Sequence, residues 1–402
     1  MGEIKDWIKG WLEYTNNIES PSIYSEWVAV SLIAAALSRR VCLMWDRKLF
    51  PNFYIFLVGP PGVKKGTALN PAREFLDYIG VYTAPESLTR RKFLSNLAKS
   101  SLLSGAPSLN NIMTAISNVT IFSSEITVLI NSGNLQMVKD LTDLYDFDKD
   151  VWTYETEGSG SDVISNPFVN IIGATQPGML TSMIPDEAVT MGFMSRVISV
   201  FEDKRGKVVV FPQDLKPEEE LKKKLKEKLM EYSTWSGWFT INDSFREVYA
   251  PWYRNQEKDI NLQEEKLIYY IQRRPTHLLK LCMIMNASRS GNMVLDAQDF
   301  KRALDLLHHT EKKMSRTFAG MGKADNAEAV DMVGSYLFNV KEIRYSKLLR
   351  RFHRDVEDDR LAKIIATFEK MGEVIIQSIP GEPKDFLIKI KEEFIGDINL
   401  VN

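Results

Sequence analysis

The chain has 402 residues, of which 44% are hydrophobic and 26% charged, with a net charge of −2. That is enough apolar material for two or three domains with their own cores. The near-neutral balance excludes a globally basic nucleic-acid binder, so any basic surface must be local. Cys42 and Cys282 lie far apart, with no Cys-x-x-Cys and no histidine at ligand spacing, which argues against zinc and disulfide frameworks and for a reducing cytoplasm.

The opening Met1-Gly2-Glu3-Ile4-Lys5-Asp6 is not a secretory signal. Residues 4–16 and 23–38 read as helices. The longest apolar run, Trp27 to Leu37, is interrupted only by Ser31. It is about half a bilayer span, so it reads as a buried helix rather than a membrane segment. After the turn at Pro51-Asn52, "FYIFLV" is apolar without alternation, as expected of a strand buried on both faces. The loop Gly59-Pro60-Pro61-Gly62-Val63-Lys64-Lys65-Gly66-Thr67-Ala68 follows, and "TALNPAREFLDYI" reads as a helix.

Further along, "SLTRRKFLSNLAKS" and "SLNNIMTAIS" read as helices, and "NVTIFSSE" as a second apolar strand running into Glu125. Residues 134–146 are helical, and "VWTYETEGSGSDVISN" reads as a hairpin turning at Gly158 to Ser161. "FVNIIGATQP" and "GFMSRVISVFED" supply a third and a fourth strand. Strands separated by helices imply a mostly parallel sheet in an α/β core. The expected domains are an N-terminal helical segment (1–45), an ATPase-like core (46–210), a helical lid (211–320) and a C-terminal unit (325–395). In that last unit three helices precede two strands around Pro380-Gly381-Glu382-Pro383, which is the winged-helix pattern.

The loop departs from the phosphate-binding pattern G-x-x-x-x-G-K-[ST]. Lys64 replaces the second glycine, although glycine adopts the required backbone more easily. Gly66 stands where a hydroxyl would hold magnesium, and Thr67 is one place late. Strand, glycine loop and helix in succession nevertheless favour a nucleotide site, with backbone N–H groups cradling phosphate and Lys65 reaching the β- and γ-phosphates. A plain surface turn is the alternative. Glu125, at the end of its strand, suits the orientation of an attacking water. The aspartate customary before it is Ser124, so magnesium would rely on phosphates, water, Thr67, Ser124 and Glu125. Thr175 and Gln176 end the third strand where a γ-phosphate or water could be sensed. Arg196 suits stabilisation of a phosphoryl group in trans, or else a structural salt bridge. Arg273 and Arg274, just before Pro275, could close over phosphates or simply solvate a helix start.

The C-terminal unit carries Lys341, Arg344, Lys347, Arg350, Arg351 and Arg354, followed by Arg360, Lys363 and Lys370 amid acids. This cluster suits DNA phosphates, with a protein contact as the alternative. The hairpin at 151–166, with Glu155, Glu157 and Asp162, has the wrong charge to grip DNA. The four histidines, His277, His308, His309 and His353, read as packing or surface residues.

In order, "YSEWVAVSLIAAALSRRV", "FLVGPPGVKKGTAL", "TIFSSEITVLI", "LTDLYDFDKDVWTYETEGSGSDVISNP", "NIIGATQPGML" and "GFMSRVISVFEDKRGKVV" resemble the phage and prophage replication ATPases. These are P-loop proteins of the AAA+ type associated with helicases and primases. The resemblance covers about residues 20–310, and the layout is also similar to minichromosome-maintenance and superfamily-3 helicases. It implies an ATP- and Mg2+-dependent DNA helicase or translocase working as a homo-oligomeric ring, a hexamer by analogy, on single-stranded or forked DNA. It implies Lys65 and Thr67 as the Walker A pair and Glu125 as the Walker B glutamate. Thr175 or Gln176 falls on sensor 1, Arg196 on the arginine finger, and Arg274 or Arg273 on sensor 2. No primase-polymerase domain fits, so priming would come from a separate primase or polymerase in the bacterial host cytoplasm. An ATP-switched helicase loader or initiator with slow turnover is the alternative function, and a small-molecule kinase a more distant one.

Overall fold

The computed structural model describes residues 4–85, 88–104, 115–130, 134–156, 160–183, 192–211, 219–256, 265–289, 291–317, 324–353 and 356–391. The chain divides between Phe318 and Ala319 into two units.

The first unit opens with α1 (Trp7–Tyr14) and α2 (Ser22–Leu37), then β1 (Val41–Met44) and β2 (Lys48–Leu49). β3 (Tyr54–Val58) leads through the glycine loop to α3 (Lys65–Tyr78), followed by β4 (Thr83–Ala84) and α4 (Arg90–Ser104). β5 (Asn118–Ser123) and α5 (Leu135–Tyr145) precede the hairpin β6 (Val151–Thr156) and β7 (Gly160–Ser165), then β8 (Phe168–Thr175), α6 (Pro177–Met183) and β9 (Val197–Phe201). The expected helix at 108–117 falls mostly outside the described residues. So does the hairpin tip, although Gly160 and Ser161 belong to β7 and pair with Thr156 and Glu155 rather than turning.

β3, β5, β8 and β9 are buried at every position, which is why their sequences are apolar without alternation. They form a five-stranded, wholly parallel sheet in the order β4-β5-β8-β3-β9. β4 and β5, the strands that follow the glycine loop in sequence, are therefore not neighbours of β3 in space. β8 lies between β3 and β5.

α2 is buried on nearly all sides and packs on this sheet. Ser31, the one polar break in its apolar core run, has a partner in the central strand. Asn170 Nδ2 of β8 donates to Ser31 O (3.2 Å) and Oγ (3.0 Å). Trp27 Nε1 donates to Thr310 Oγ1 at 2.8 Å.

The rest of the unit is α7 (Glu219–Tyr232), β10 (Gly237–Ile241), α8 (Asp243–Asn255), α9 (Glu265–Arg289), β11 (Val294–Leu295) and α10 (Ala297–Met314). The segments drawn from sequence as 1–45, 46–210 and 211–320 interlock here. Trp7 Nε1 donates to Leu225 O (2.8 Å) and Ile8 N to Ser288 Oγ (3.0 Å). β10, inside the segment expected as a helical lid, pairs in parallel with β1 and builds a second sheet in the order β11-β10-β1-β2. No helix among the described residues is long and apolar enough to cross a membrane.

The second unit contains α11 (Ala324–Val340), β12 (Glu342–Arg344), α12 (Tyr345–Phe352), α13 (Asp358–Lys370), β13 (Val374–Ile379) and β14 (Glu382–Ile390). Its antiparallel sheet has the order β12-β14-β13, and β12 is an addition to the elements read from sequence. Leu337, Leu348, Phe352, Leu361, Ile365, Phe368 and Ile388 form its core. Asp385 on β14 caps α12, accepting from Ser346 N (2.9 Å) and Oγ (2.7 Å).

Thr310→Val tests the α2 docking. It leaves the buried Trp27 indole N–H without its acceptor, so we expect a loss of about 1–3 kcal/mol in denaturant unfolding at unchanged cooperativity.

Candidate functional site

The site begins where β3 ends. Gly59 N donates to Thr175 O at 3.3 Å, joining the loop to the end of β8. A Cβ on Gly59 would lie 2.3 Å from Glu202 O and 2.9 Å from Tyr24 Oη, so only glycine fits. The buried Tyr24 hydroxyl donates to Val58 O (2.6 Å) and accepts from Glu202 N (3.1 Å). It ties α2 to β3 and to the exit of β9, and sequence reading had not singled it out.

Gly62 turns with φ +88°, and Lys64 caps α3 in the left-handed conformation, φ 63° and ψ 34°. That is the glycine-like backbone the missing second glycine would have adopted. For a residue with a Cβ it costs roughly 1–2 kcal/mol. The Lys64 ammonium is held 3.1 Å from Glu19 Oε2. Lys65 folds back over the loop and donates to Gly59 O (2.6 Å) and Pro60 O (3.0 Å). Its half-buried ammonium is pushed down from the ordinary lysine range by burial, opposed by the Glu125 charge. A cation bonded only to carbonyls among the described residues is poised for an anion.

Glu125 lies just past β5. Its N–H donates to Ser123 Oγ (3.2 Å), and its Oε1 accepts from Thr127 Oγ1 (2.7 Å). Thr127, two places on and overlooked in the sequence, thereby fixes the direction of the second carboxylate oxygen. The short turn Ile126–Val128 rests on β8 at Gly173, where a Cβ would come 2.8 Å from Ile126 Cβ. Gly173 is thus what lets the Glu125 turn approach the sheet. Thr175 is fully buried and Gln176 half-buried at the end of β8.

The loop adjoins a cavity of about 280 Å³ lined by Leu12, Thr15, Asn16, Ile18, Ser20, Ser22, Ser25, Gly206 and Lys207. Glu19, between Ile18 and Ser20, is the partner of Lys64, and it also accepts from Val209 N at 3.1 Å. Ser20 is 6% exposed and its Oγ has no hydrogen-bond partner among the described residues, so the cavity wall presents a hydroxyl available to a ligand.

Among the described residues no three His, Cys, Asp or Glu side chains converge as a metal site. Thr67, in the first turn of α3, and Ser124 and Glu125 are the nearby oxygen donors. This sparse set fits magnesium carried mainly by phosphates and water. A Cβ on Gly66 meets nothing within 4 Å, so the loop has room for the hydroxyl its sequence lacks.

The arginines lie elsewhere. Arg196 immediately precedes β9, at the opening end of the sheet, whereas the loop follows the closing end of β3. Arg196 Nε and Nη2 bind Asp146 Oδ2 at 2.9 and 2.8 Å. Arg273 Nη1 reaches the same oxygen at 2.5 Å, and Arg47 Nη2 reaches Oδ1 at 3.0 Å. Arg274 is fully buried. Its Nε and Nη2 bind Glu311 at 2.7 and 2.8 Å, its Nη1 binds Gln256 O at 3.2 Å, and Trp252 lies against it. Its surroundings are those of a structural ion pair. His277 is a packing residue, as read: its ring bonds Ser195 O (2.9 Å) and Tyr145 Oη (3.2 Å), and burial pushes it down to about 3.

In the second unit Lys347, Arg350 and Arg351 are exposed on α12, while Leu348 and Phe352 turn inward. Lys363 is exposed on α13 and Arg360 half-buried; Arg354 lies outside the described residues. The basic surface therefore belongs chiefly to α12.

Two outcomes are expected. Gly66→Ser fits without a clash and adds a hydroxyl beside the loop, so a loop that holds a magnesium nucleotide should bind it several-fold more tightly in calorimetric titration, with unchanged stability. His277 is neutral in the folded chain well below its ordinary pKa. The unfolded chain therefore binds the extra proton between about pH 6.5 and 3, and stability falls as pH drops through that window. His277→Gln should flatten this fall in denaturant titrations. No protein-family model matches the sequence, and no curated protein matches it.

Proposed function

We propose that the chain is an ATP-hydrolysing motor of the AAA+ type that acts on DNA during replication. The observation that carries this reading is that Lys65, after β3, and Glu125, after β5, belong to the same end of the sheet with β8 between their strands, and that the Glu125 charge acts on the Lys65 ammonium. Strands lie about 4.8 Å apart, so placing β8 between β3 and β5 opens a gap of roughly 10 Å. That is room for a phosphoryl group and a water between the lysine and the carboxylate. Lys65 and the loop N–H groups hold the phosphates. Glu125, aimed by Thr127, orients the water and takes up its proton. Thr175 and Gln176 lie between them. The cavity beside Glu19 has the size and polarity for a nucleobase, with the Ser20 hydroxyl free to bond its edge. Magnesium, when bound, neutralises charge on the transferred phosphoryl group, with Thr67 and Ser124 as the nearest hydroxyls.

Arg196 lies at the opposite end of the sheet from its own loop, about 16 Å away at ~3.3 Å per residue along β3. It therefore serves the nucleotide of a neighbouring copy. This supports a closed homo-oligomeric ring, a hexamer by resemblance, in a cytoplasmic setting. The second unit, with three helices, a short strand between the first two and a β-hairpin, is a winged helix on this reading. Its α12 face supplies DNA phosphate contacts, and priming falls to a separate protein.

A second reading has its own support. Gly66 and Ser124 remove both customary side-chain magnesium ligands, which favours an ATP-switched loader or initiator with slow turnover.

The deciding measurement is ATP hydrolysis with magnesium, with and without single-stranded and forked DNA. A motor shows turnover that rises severalfold with DNA, vanishes in Lys65→Ala and falls at least ~100-fold in Glu125→Gln. Mixed Glu125→Gln and Arg196→Ala chains should recover part of the activity that neither has alone. Tight nucleotide binding with negligible turnover, with or without DNA, overturns the motor and leaves the switch.

A further inference from the structure

Single exposed apolar side chains are ordinary on a protein surface, whereas a gathering of them marks a contact. Among the described residues of the first unit, two surfaces gather them most. One is the segment that leaves β9, where Val208, Val210 and Phe211 are 62%, 71% and 60% exposed. Val209, between them, is half-buried, and its N–H donates to Glu19 Oε1 at 3.1 Å. The backbone just before is pinned as well. Gly206 N donates to Glu19 O at 2.9 Å, and a Cβ on Gly206 would lie 2.7 Å from Ser20 O. The segment is thus held to the chain by its backbone while its apolar side chains face outward.

The other surface is a groove of about 660 Å³ on the sheet β11-β10-β1-β2. Strand alternation builds it. Leu43 and Phe239 turn into the core, whereas Met44, Trp238 and Thr240 are exposed, and exposed Trp45 follows at the end of β1. The wall is braced from behind: the Trp45 ring meets the buried Tyr249 ring edge-on at 5.1 Å, and Tyr249 stacks on Phe245 at 5.6 Å. Asp46 and Arg246 also line the groove. α8 adds exposed Asp243 and Glu247, while Arg47 turns away to Asp146. Even with Lys48 counted, carboxylates outnumber the remaining cations. Such a rim disfavours a phosphate backbone and suits a basic peptide. Lys204 and Lys207 precede the apolar segment. Its other neighbouring charges, Asp203 and Arg205, are paired with Arg316 and Glu19.

The two surfaces belong to opposite ends of the five-stranded sheet. The segment follows β9 and is anchored through Glu19 beside Lys64 of the glycine loop. The groove adjoins Arg47, which shares Asp146 with Arg196 at the start of β9. The length of β9, about 16 Å at ~3.3 Å per residue, lies between them, so a chain cannot fill its own groove.

We propose that residues 208–211 of one copy of the chain seat in the Trp45–Trp238 groove of a second copy. Val208, Val210 and Phe211 pack on the two indoles and Met44, and Lys204 and Lys207 face Asp46 and the α8 carboxylates. The surfaces differ, so the contact is heterologous: each copy offers a segment at one end and a groove at the other. This contact rests on the head-to-tail reading of the assembly and deepens it by naming the surfaces that meet.

The full chain is tested by sedimentation over a range of concentrations, with and without magnesium ATP. Val210→Asp and Trp238→Asp change exposed side chains away from the loop. Each should weaken self-association by about tenfold or more and leave thermal unfolding unchanged. Cross-linking reads the same contact without charge. Val210→Cys chains mixed with Thr240→Cys chains should form a disulfide between copies under an added oxidant, and neither variant should do so alone. The native Cys42 and Cys282 are buried and stay out of the reaction. No disulfide in the mixture overturns the proposal. So does association undiminished in both Asp variants, and so does a chain that stays monomeric in every condition. Tryptophan emission that a single-stranded oligonucleotide quenches, and no longer quenches in Trp238→Asp, also overturns it, because the groove would then take bases. ATP hydrolysis enters none of these measurements. A cross-linked assembly without turnover sinks the motor reading and keeps the contact. An active ATPase whose association survives both Asp variants sinks the contact alone.

Discussion

Everything at the loop depends on how closely the backbone at Gly59 approaches its neighbours. With no Cβ, Gly59 lies against Glu202 O, while its N–H is bonded to Thr175 O. The Tyr24 hydroxyl closes the same point from the other side by binding Val58 O and Glu202 N. Three parallel strands and α2 thus meet within hydrogen-bond distance of the residue that opens the loop. Parallel register sets the strand ends level, with Val58 opposite both Thr175 and Phe201. The loop, Thr175 and the exit of β9 are therefore positioned by backbone geometry before any side chain contributes. Gly173 extends the same logic, since its missing side chain admits Ile126 and sets the height of Glu125 over the sheet.

What could be read in the sequence follows from how local each signal is. Strands buried on both faces announce themselves as "YIFLV", "NVTIFS" and "FVNIIGAT", and the glycine loop between strand and helix needs only a dozen residues to be seen. The order of strands in the sheet carries no such local mark. Nor does the pairing of Val41–Leu43 with Gly237–Phe239, which joins short segments almost two hundred residues apart, so the sequence of the lid shows its helices and not this strand. Charged residues were harder still. Arg39 looks like an exposed helix end, yet it is buried, donating to Phe147 O, Pro167 O and Lys149 O. Arg273 and Arg274 are adjacent and chemically identical, but a helix turns neighbouring residues about 100° apart. One meets Asp146 and the other Glu311, and nothing in the pair of letters distinguishes them.

Lys64 shows how this chain accommodates a departure from the usual loop. The left-handed backbone is retained, and the side chain that makes it unfavourable is engaged by Glu19. Glu19 in turn anchors the 205–209 segment through Arg205 and Val209 N. Residues that a glycine would leave unlinked are thereby connected: the loop, the turn between α1 and α2, and the segment leaving β9. A phosphate drawing Lys64 toward itself would be felt by Glu19, and so by the wall of the cavity beside it.

The polarity of a parallel sheet has a last consequence. All the strands run the same way, so every loop that follows a strand lies at one end, and every residue that precedes one lies at the other. Lys65, Glu125 and Thr175 belong to the first end; Arg196 precedes β9 and belongs to the second. The cations around Asp146 cannot be brought to the loop of the same chain by side-chain rotation, because the length of β3 separates them. On the reading proposed, a single chain then holds two half-sites facing in opposite directions, one rich in anion-seeking loop groups and one rich in guanidiniums. Copies arranged head to tail complete both halves at once, and a closed ring is the arrangement that leaves none incomplete.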